Sequence, residues 1–429
     1  MFISIHDVNQ SNLVSDEGAP QGGGRSESPQ RGDGVTTSGR AGEHALGNTR
    51  ISIPFGSEGE QKRVNQREKR YRVRNEVRRV TTLERLKKCG HTPIEKGGVV
   101  VRATQTSSGS RAGYSGLSTC GSVWACPVCS AKISAQRSEE IKQVLETAQR
   151  RGYSVAMVTL TVRHHAGHTL KEVWDAVACG WKSVTTGSGW LADRAKYKIK
   201  GWVKAVEVTH GKNGWHVHVH TLLIFKGQEL EANLLGARIF KRWQKGLSKK
   251  GFTAEVAHGL DVGFAKGGDS AGKLSTYLAK TGDMLAQEAA LGQFKEARNG
   301  NRTPFQIALS FFDTGDMADL ALWHEWEKFS HGRRQMGWSK GLREWAQLTE
   351  VEKSDEEIAS EEIGSSDDDL VLLPGDSWRM VRSRNLEARV LEMAEKLGQG
   401  FTVWLDLEGI AWLPAPKREE KTPTQGVGA

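Results

Sequence analysis

The sequence has few cysteines and lacks a long apolar run. Its five cysteines are an odd number, and four of them lie before residue 130, which fits a reduced compartment and a metal site better than a disulfide framework. No apolar stretch approaches the ~20 residues that a membrane helix needs, and no positively charged leader followed by an apolar stretch opens the chain. These absences predict a soluble, cytoplasmic protein without a membrane partner.

The composition is otherwise that of a globular protein, with an uneven distribution of charge. Hydrophobic residues make up 37% of the 429 positions, which excludes wholesale disorder, and two or three domains are expected at this length. Residues 61–90 hold twelve Lys and Arg against three Glu. Their net charge of +9 equals that of the entire protein. This basic segment predicts either DNA phosphate contacts or a solvated face. Residues 351–369 hold nine Asp and Glu and one Lys, which predicts an extended acidic linker.

Strand patterns alternate with helix patterns between these two charged segments. Alternating apolar residues predict strands at 153–163, 199–210, 215–225 and 252–264, and helical spacing predicts helices at 169–184, 229–246 and 273–285. Turn-forming residues at 210–214 predict a hairpin. This order predicts an α+β domain with an antiparallel sheet and helices on one face. The predicted divisions are a disordered arm (1–60), a basic and Cys-rich segment (61–150), a core (151–290), a helical extension (291–350), the acidic linker (351–369), a small module (370–416) with a helix near 380–397 and strands near 401–405 and 409–413, and a tail (417–429).

Three histidines occupy alternate positions of one predicted strand. His216, His218 and His220 therefore share a face, and imidazoles two residues apart can chelate one divalent cation. The alternative is a polar strand edge that happens to carry histidines. Glu207 lies on the preceding strand, and the hairpin could bring its carboxylate near the imidazoles or leave it facing solvent.

A second group of candidate ligands is formed by cysteines. Cys120, Cys126 and Cys129 have the spacing C-x5-C-x2-C, and zinc usually takes four such ligands. The nearest candidate for the fourth is Cys89, with His91 as a substitute. The alternative is a set of reduced cysteines with a structural role. Four thiolates leave no open position for a substrate, so a zinc ion here is predicted to be structural.

The sequence resembles a known enzyme family at four places. His218-Val-His220 with the apolar run after it resembles the motif of the HUH endonucleases, specifically the replication initiator (Rep) proteins of rolling-circle plasmids of the Gram-positive and actinobacterial type. VTLT at 158–161 resembles that family's first motif, and TYLAK at 276–280 resembles its third. YSGLSTCGSVWACPVCSAKI at 114–133 is similar to the segment before the nuclease core. The resemblance covers roughly residues 85–284.

The resemblance implies an HUH nuclease fold, which is ferredoxin- or RRM-like, and an enzyme that nicks and rejoins one DNA strand. Tyr277 would attack the phosphodiester, leaving a 5′-phosphotyrosyl link and a 3′-hydroxyl that primes synthesis, and Lys280 would stabilise negative charge one helical turn away. Some relatives carry an acidic residue before the tyrosine, whereas Lys273 and Leu274 occupy that neighbourhood here. The implied Mg²⁺ or Mn²⁺ ligands are His218 and His220, with His216 or Glu207 as the third.

The implied partner is origin DNA, both duplex and single-stranded. Gly267, Gly272 and Lys273 match a phosphate loop, but Leu274 replaces the Ser or Thr that would hold Mg²⁺. This argues against an ATPase, so a host helicase is expected together with a host polymerase. The predicted phosphate contacts of the basic segment are Arg78, Arg79, Lys87 and Lys88.

Three alternatives remain open at the level of the sequence. A rolling-circle transposase shares the order of motifs but often has two nearby tyrosines after the histidines. This chain has one tyrosine there, Tyr277. A conjugative relaxase normally has its tyrosine before the histidines. A zinc-dependent DNA-binding regulator would have structural histidines and no nuclease activity.

Overall fold

Helices and two antiparallel sheets make up the described part of this computed structural model, which comprises residues 58–94, 97–106, 109–265, 300–348 and 351–415. The helices are α1 (Glu58–Val80), α2 (Glu84–Lys88), α3 (Pro127–Arg150), α4 (Leu170–Val184), α5 (Gly187–Lys196), α6 (Glu229–Ser248), α7 (Val256–Gly259), α8 (Pro304–Thr314), α9 (Met317–Ser330), α10 (Leu342–Trp345), α11 (Asp355–Ser360), α12 (Gly375–Ser383), α13 (Glu387–Leu397) and α14 (Phe401–Leu407). The strands are β1 (Val99–Thr106), β2 (Gly109–Ser115), β3 (Ser154–Thr161), β4 (Gly201–Gly211), β5 (Gly214–Phe225), β6 (Leu260–Ala265), β7 (Met336–Trp338), β8 (Asp369–Leu373) and β9 (Leu413–Pro414).

The larger sheet has the strand order β6-β3-β5-β4-β7 and is antiparallel throughout. Strands β3, β4 and β5 confirm the predictions at 153–163, 199–210 and 215–225. The predicted hairpin is confirmed as well, since Gly211 pairs with Gly214 across a tight turn. Gly214 has φ +82, which L-residues rarely adopt, so glycine suits this turn. The fourth predicted strand is shorter than expected, because helix α7 occupies its first part.

Helices α4 and α6 cover one face of this sheet, as predicted. Both begin with a capping box, which satisfies free backbone N–H groups at their first turns. The two helices approach closely at Gly180, where an added Cβ would lie 2.6 Å from the Trp243 ring. Val217, Val219 and Leu223 of β5 point into the same core and are fully buried. The predicted helix at 273–285 lies outside the described residues.

Helices α3 and α10 add a partial layer on the opposite face. Ile141 of α3 and Leu342 of α10 pack with Val155, Leu222 and Ile224 at one end of the sheet. The histidines occupy the other end of this face and are half-buried. The predicted α+β fold with an antiparallel sheet is therefore confirmed, and the histidines lie on the face opposite α4 and α6.

The smaller sheet joins segments that are far apart in the sequence. Its order is β2-β1-β8-β9, so the strand that follows the acidic segment pairs with β1. The acidic segment is not simply extended, because it contains α11 with buried Ile358 and Ala359. Two of its carboxylates, on Glu352 and Asp355, lie 3.6 Å from the guanidinium of Arg137. Ion pairing with the rest of the protein therefore offsets the mutual repulsion on which the linker prediction relied.

The C-terminal residues differ from their predicted pattern. The predicted strand at 401–405 is wrong, since helix α14 occupies this stretch and buries Phe401, Trp404 and Leu405. These positions have helical spacing, and the window is too short for periodicity alone to separate helix from strand. No helix of the described residues combines the length and the apolar character needed to cross a membrane.

Candidate functional site

The register of the larger sheet sets the geometry of the histidine face. His218 lies opposite Thr161 on β3 and Glu207 on β4, and His220 lies opposite Thr159 on β3. Residues directly opposite each other in an antiparallel pair share a face, so these five side chains lie side by side. The structure thus brings Glu207 to the histidines, as the hairpin prediction allowed.

Hydrogen bonds connect these side chains. His220 Nε2 donates to Glu207 Oε2 over 2.9 Å. Thr159 Oγ1 lies 3.1 Å from His220 Nδ1, and Thr161 Oγ1 lies 3.2 Å from His218 Nδ1. The rings of His218 and His220 are stacked with centroids 5.9 Å apart. The VTLT motif is therefore in direct contact with the histidine motif.

His164 is a member of this cluster that sequence reasoning missed. Its Nδ1 lies 2.9 Å from the backbone oxygen of Asn213, and its Nε2 lies 2.6 Å from His216 Nδ1. A carbonyl only accepts, so His164 Nδ1 carries the hydrogen and His216 Nδ1 donates to His164 Nε2. Nε2 of His216 therefore carries no hydrogen, and its lone pair can bind a cation. The available signal was the pair of histidines shortly after the VTLT strand.

Burial, hydrogen bonds and neighbouring charges set the charge state of the site. Burial lowers the pKa of His218 to about 3, with the charge of His216 as a smaller cause. It also lowers the pKa of His216 to about 4, with the charge of His164 as the next cause. Burial alone would raise the pKa of Glu207, but the hydrogen bond from His220 and the histidine charges lower it to about 2. At neutral pH Glu207 is ionised, and His216 and His218 are neutral, which is the form that binds a cation.

The spacing of His220 and Glu207 is suitable for a hard divalent cation. Adjacent ligands of an octahedral ion with bonds of ~2.1 Å are about 3 Å apart. The hydrogen bond holds His220 Nε2 and Glu207 Oε2 at 2.9 Å, so a cation that displaced the hydrogen would find the two atoms at about this separation. In the described residues, three or more ligand atoms within 4.8 Å of one another occur in the cysteine group alone. The histidine face thus offers a close pair, and a third ligand requires a side-chain adjustment.

The four predicted cysteines form a compact buried group. The Sγ atoms of Cys89, Cys120, Cys126 and Cys129 all lie within 4.8 Å of one another, so Cys89 is confirmed as the fourth member. Sγ of Cys89 lies 3.7 Å from that of Cys126 and 3.6 Å from that of Cys129, and Cys120 and Cys129 are 3.7 Å apart. Four sulfurs at ~2.3 Å from a zinc ion would be about 3.8 Å apart. The group therefore could hold zinc.

Local structure explains why the cysteine group forms. Cys126 is the N-cap of α3, Pro127 occupies the first helical position, and the Cys126 sulfur accepts from the backbone N–H of Cys129 at 3.5 Å. Burial raises the pKa of the Cys126 thiol well above its usual range. Hydrogen bonds from the other three thiols lower the pKa of Cys89. Because burial opposes the charged form, ionisation of all four cysteines here would require a cation to balance their charge.

The basic segment forms α1 and α2, and part of its charge is paired within the protein. Arg63 and Arg67 both contact the buried carboxylate of Glu395 on α13, at 3.1 and 2.5 Å. The predicted DNA contacts differ in their surroundings. Arg79 and Lys87 are exposed and pair with Glu76 and Glu84, Lys88 is exposed, and burial and then the charge of Arg74 lower the pKa of Arg78 to about 10.

The predicted nucleophile Tyr277 and its neighbour Lys280 lie outside the described residues, as does the phosphate-loop-like segment 267–275. The described residues on either side are paired within the histidine sheet. Ala265 pairs with Val155 of β3, and Arg302 pairs with His210 of β4. The described residues that flank this stretch are therefore both paired with strands of the sheet that carries the histidines.

Comparison with known proteins identifies the family. A family model described as Replication protein matches residues 116–379, which include the histidine strand and three of the four cysteines. The chain belongs to the replication protein family. The match also extends beyond residue 284, where the resemblance seen in the sequence ended. It confirms that resemblance to the plasmid replication initiators of the Rep type at the level of the family.

Individual relatives agree with this family assignment. The chain is 30% identical to Protein rep of Streptomyces lividans over 365 residues, which cover 70% of this chain and 79% of that protein. It is 27% identical to Protein rep of Lentilactobacillus hilgardii over 178 residues, which cover 38% of this chain and 54% of that protein. A shorter match, 30% identical over 138 residues, covers 32% of the Neomycin resistance protein of Streptomyces cyanogenus. No solved structure matches.

Proposed function

We propose that this protein is a rolling-circle plasmid replication initiator that nicks one strand of origin DNA and rejoins it when a round of replication ends. The observation that carries this proposal is the contact of Glu207 with His220 beside His218, on a half-buried end of an antiparallel sheet. A chain of the replication protein family has a use for such a site, because nicking requires the charge of a phosphodiester to be neutralised.

His218, His220 and Glu207 would hold the catalytic cation. Glu207 is preferred to His216 as the third ligand because its carboxylate already lies 2.9 Å from His220 Nε2. A bound Mg²⁺ or Mn²⁺ would act as a Lewis acid toward the non-bridging oxygens of the scissile phosphate.

Tyr277 is the proposed nucleophile. Its phenol oxygen loses a proton and attacks the phosphorus, the bond from phosphorus to the 3′ oxygen breaks, and that oxygen takes up a proton to become a 3′-hydroxyl. The 5′ phosphate stays esterified to Tyr277, and attack by a 3′-hydroxyl reverses the step. The assignment is supported by the position of Tyr277 after the histidine strand and by the pairing of Ala265 and Arg302 within that sheet.

Two further sites complete the proposal. Zinc bound by the four cysteines would be structural, because four sulfur ligands leave no position open for a substrate. The exposed side chains of Arg79, Lys87 and Lys88 would contact phosphates of origin DNA together with Arg78. Strand separation and synthesis would come from a host helicase and polymerase.

A nicking assay tests the proposal. The full chain is incubated with Mn²⁺ and a supercoiled plasmid that carries its own origin, and we expect relaxed circles with protein attached to the 5′ end. Tyr277→Phe and His218→Ala should abolish both products, and Tyr153→Phe should retain them, since Tyr153 precedes the histidine strand. Nicking that survives Tyr277→Phe would contradict the assignment, and origin binding without nicking would favour a DNA-binding regulator.

A further inference from the structure

We propose that Thr159 and Thr161 are positioning residues that hold the Nδ1 atoms of His220 and His218, so that Nε2 is the nitrogen left for a cation. This inference rests on the proposed function, since it concerns the ligands of the proposed catalytic cation. It gives the VTLT motif a role in the site.

The side-chain alternation of β3 separates the two tasks of this motif. Val158 and Leu160 are fully buried in the core beneath α4 and α6. Thr159 and Thr161 point to the other face, where the register places them opposite His220 and His218. A strand with threonine on one face and aliphatic residues on the other therefore both closes the core and contacts the imidazoles.

Hydrogen bonding decides which nitrogen each threonine holds. Thr159 Oγ1 lies 3.1 Å from His220 Nδ1, and Thr161 Oγ1 lies 3.2 Å from His218 Nδ1. In both rings the threonine contacts the nitrogen nearer the backbone. Nε2 of His220 points the other way, to the carboxylate of Glu207. A metal-binding imidazole usually has its second nitrogen held in this manner, which fixes the ring orientation.

The hydroxyl of Thr159 can form a hydrogen bond with either tautomer of the His220 ring. Because the Glu207 carboxylate only accepts, His220 Nε2 carries the hydrogen, and in the neutral ring Nδ1 then accepts from the Thr159 hydroxyl. If Nε2 bound a cation, the neutral ring would carry its hydrogen on Nδ1, and Thr159 would be the acceptor. Threonine can make this exchange by rotating its hydroxyl, whereas a backbone carbonyl could only accept.

The third histidine of the strand follows the same arrangement. His216 Nδ1 is held by His164, which is itself held by the backbone oxygen of Asn213. All three imidazoles of β5 therefore have Nδ1 engaged by β3 or by the loop after it. This regularity is expected of a site that presents Nε2 atoms, and a solvent-facing strand edge has no need of it.

Mn²⁺ affinity of the full chain tests the inference, measured by isothermal titration calorimetry. We expect Thr159→Val and Thr161→Val each to weaken Mn²⁺ binding at least 10-fold, since loss of a partner of a ligating histidine costs 10- to 100-fold. Valine keeps the shape and the strand preference of threonine. Thr159→Ser and Thr161→Ser should bind as the unaltered protein does. Thr209→Val is the matched control, because Thr209 lies opposite His216 and makes no hydrogen bond to a histidine within the described residues.

The outcomes separate this inference from the proposed function. Unaltered affinity in both valine variants, with Mn²⁺ binding lost in His218→Ala, would overturn the inference and leave the proposed function standing. Mn²⁺ binding that survives His218→Ala would overturn both. If a valine variant does not fold, as judged by circular dichroism, Thr159→Ala and Thr161→Ala provide the same test with less bulk in the strand.

Discussion

Glu207 and His220 are joined by a hydrogen bond of 2.9 Å between Oε2 and Nε2, across neighbouring strands and 13 residues apart in the sequence. The tight turn between Gly211 and Gly214 fixes the register that makes this contact possible. A shift by one residue would turn the histidines to the opposite face, into the core beneath α4 and α6. The turn is therefore as necessary to the site as the histidines are.

We expect Glu207→Gln to weaken Mn²⁺ binding at least 10-fold, because the amide keeps the shape of the side chain but loses its negative charge. Isothermal titration calorimetry provides the measurement. Glu255→Gln is the matched control, since Glu255 is exposed and pairs with Arg163. Unchanged affinity in Glu207→Gln would indicate His216 as the third ligand.

The cysteine group should carry one zinc ion per chain, measurable by elemental analysis of the purified protein. We expect Cys126→Ser combined with Cys129→Ser to lose this zinc and to lower the thermal unfolding temperature, because both sulfurs belong to the buried group. Cys179→Ser should retain the metal, as Cys179 lies on α4 outside that group. Zinc content that stays the same in the double variant would refute this prediction.

Glu395 should be important for stability. It contacts Arg63 and Arg67 and accepts from the backbone N–H of Ala112, and its side chain is only 4% exposed. Glu395→Gln leaves the two arginines without their anion, which should lower the free energy of unfolding by about 3 kcal/mol in urea denaturation. Glu408→Gln, at an exposed position, should change it by less than ~0.5 kcal/mol. Equal effects of the two substitutions would show that the pairing contributes little.

DNA binding should depend on salt through the exposed part of the basic segment. We expect Arg79→Gln and Lys88→Gln each to reduce the slope of log affinity against log salt by about 1, because each would remove one proposed phosphate contact. Fluorescence anisotropy with origin DNA gives the slope. Lys250→Gln, which removes an exposed charge after α6, is the control. Slopes unaffected by Arg79→Gln and Lys88→Gln would identify the segment as a solvated face.

Sequence periodicity predicted the elements that have a strong amphipathic pattern. The strands around the histidines and helices α4 and α6 fall where alternation and helical spacing placed them, because one face of each is buried. Prediction failed where the pattern was short or the partner was remote. The stretch 401–405 is too brief to separate helix from strand, and the acidic segment has its ion-pair partner Arg137 more than 200 residues earlier.

The sequence by itself determined the residues that share a strand face and the spacing of Cys126 and Cys129, since both follow from the local geometry of the backbone. Only the tertiary structure decided that Cys89 joins those cysteines and that Thr159 holds the ring of His220. Contacts of that kind depend on strand register and helix packing, which are set by the burial of the whole core and leave no local pattern in the chain.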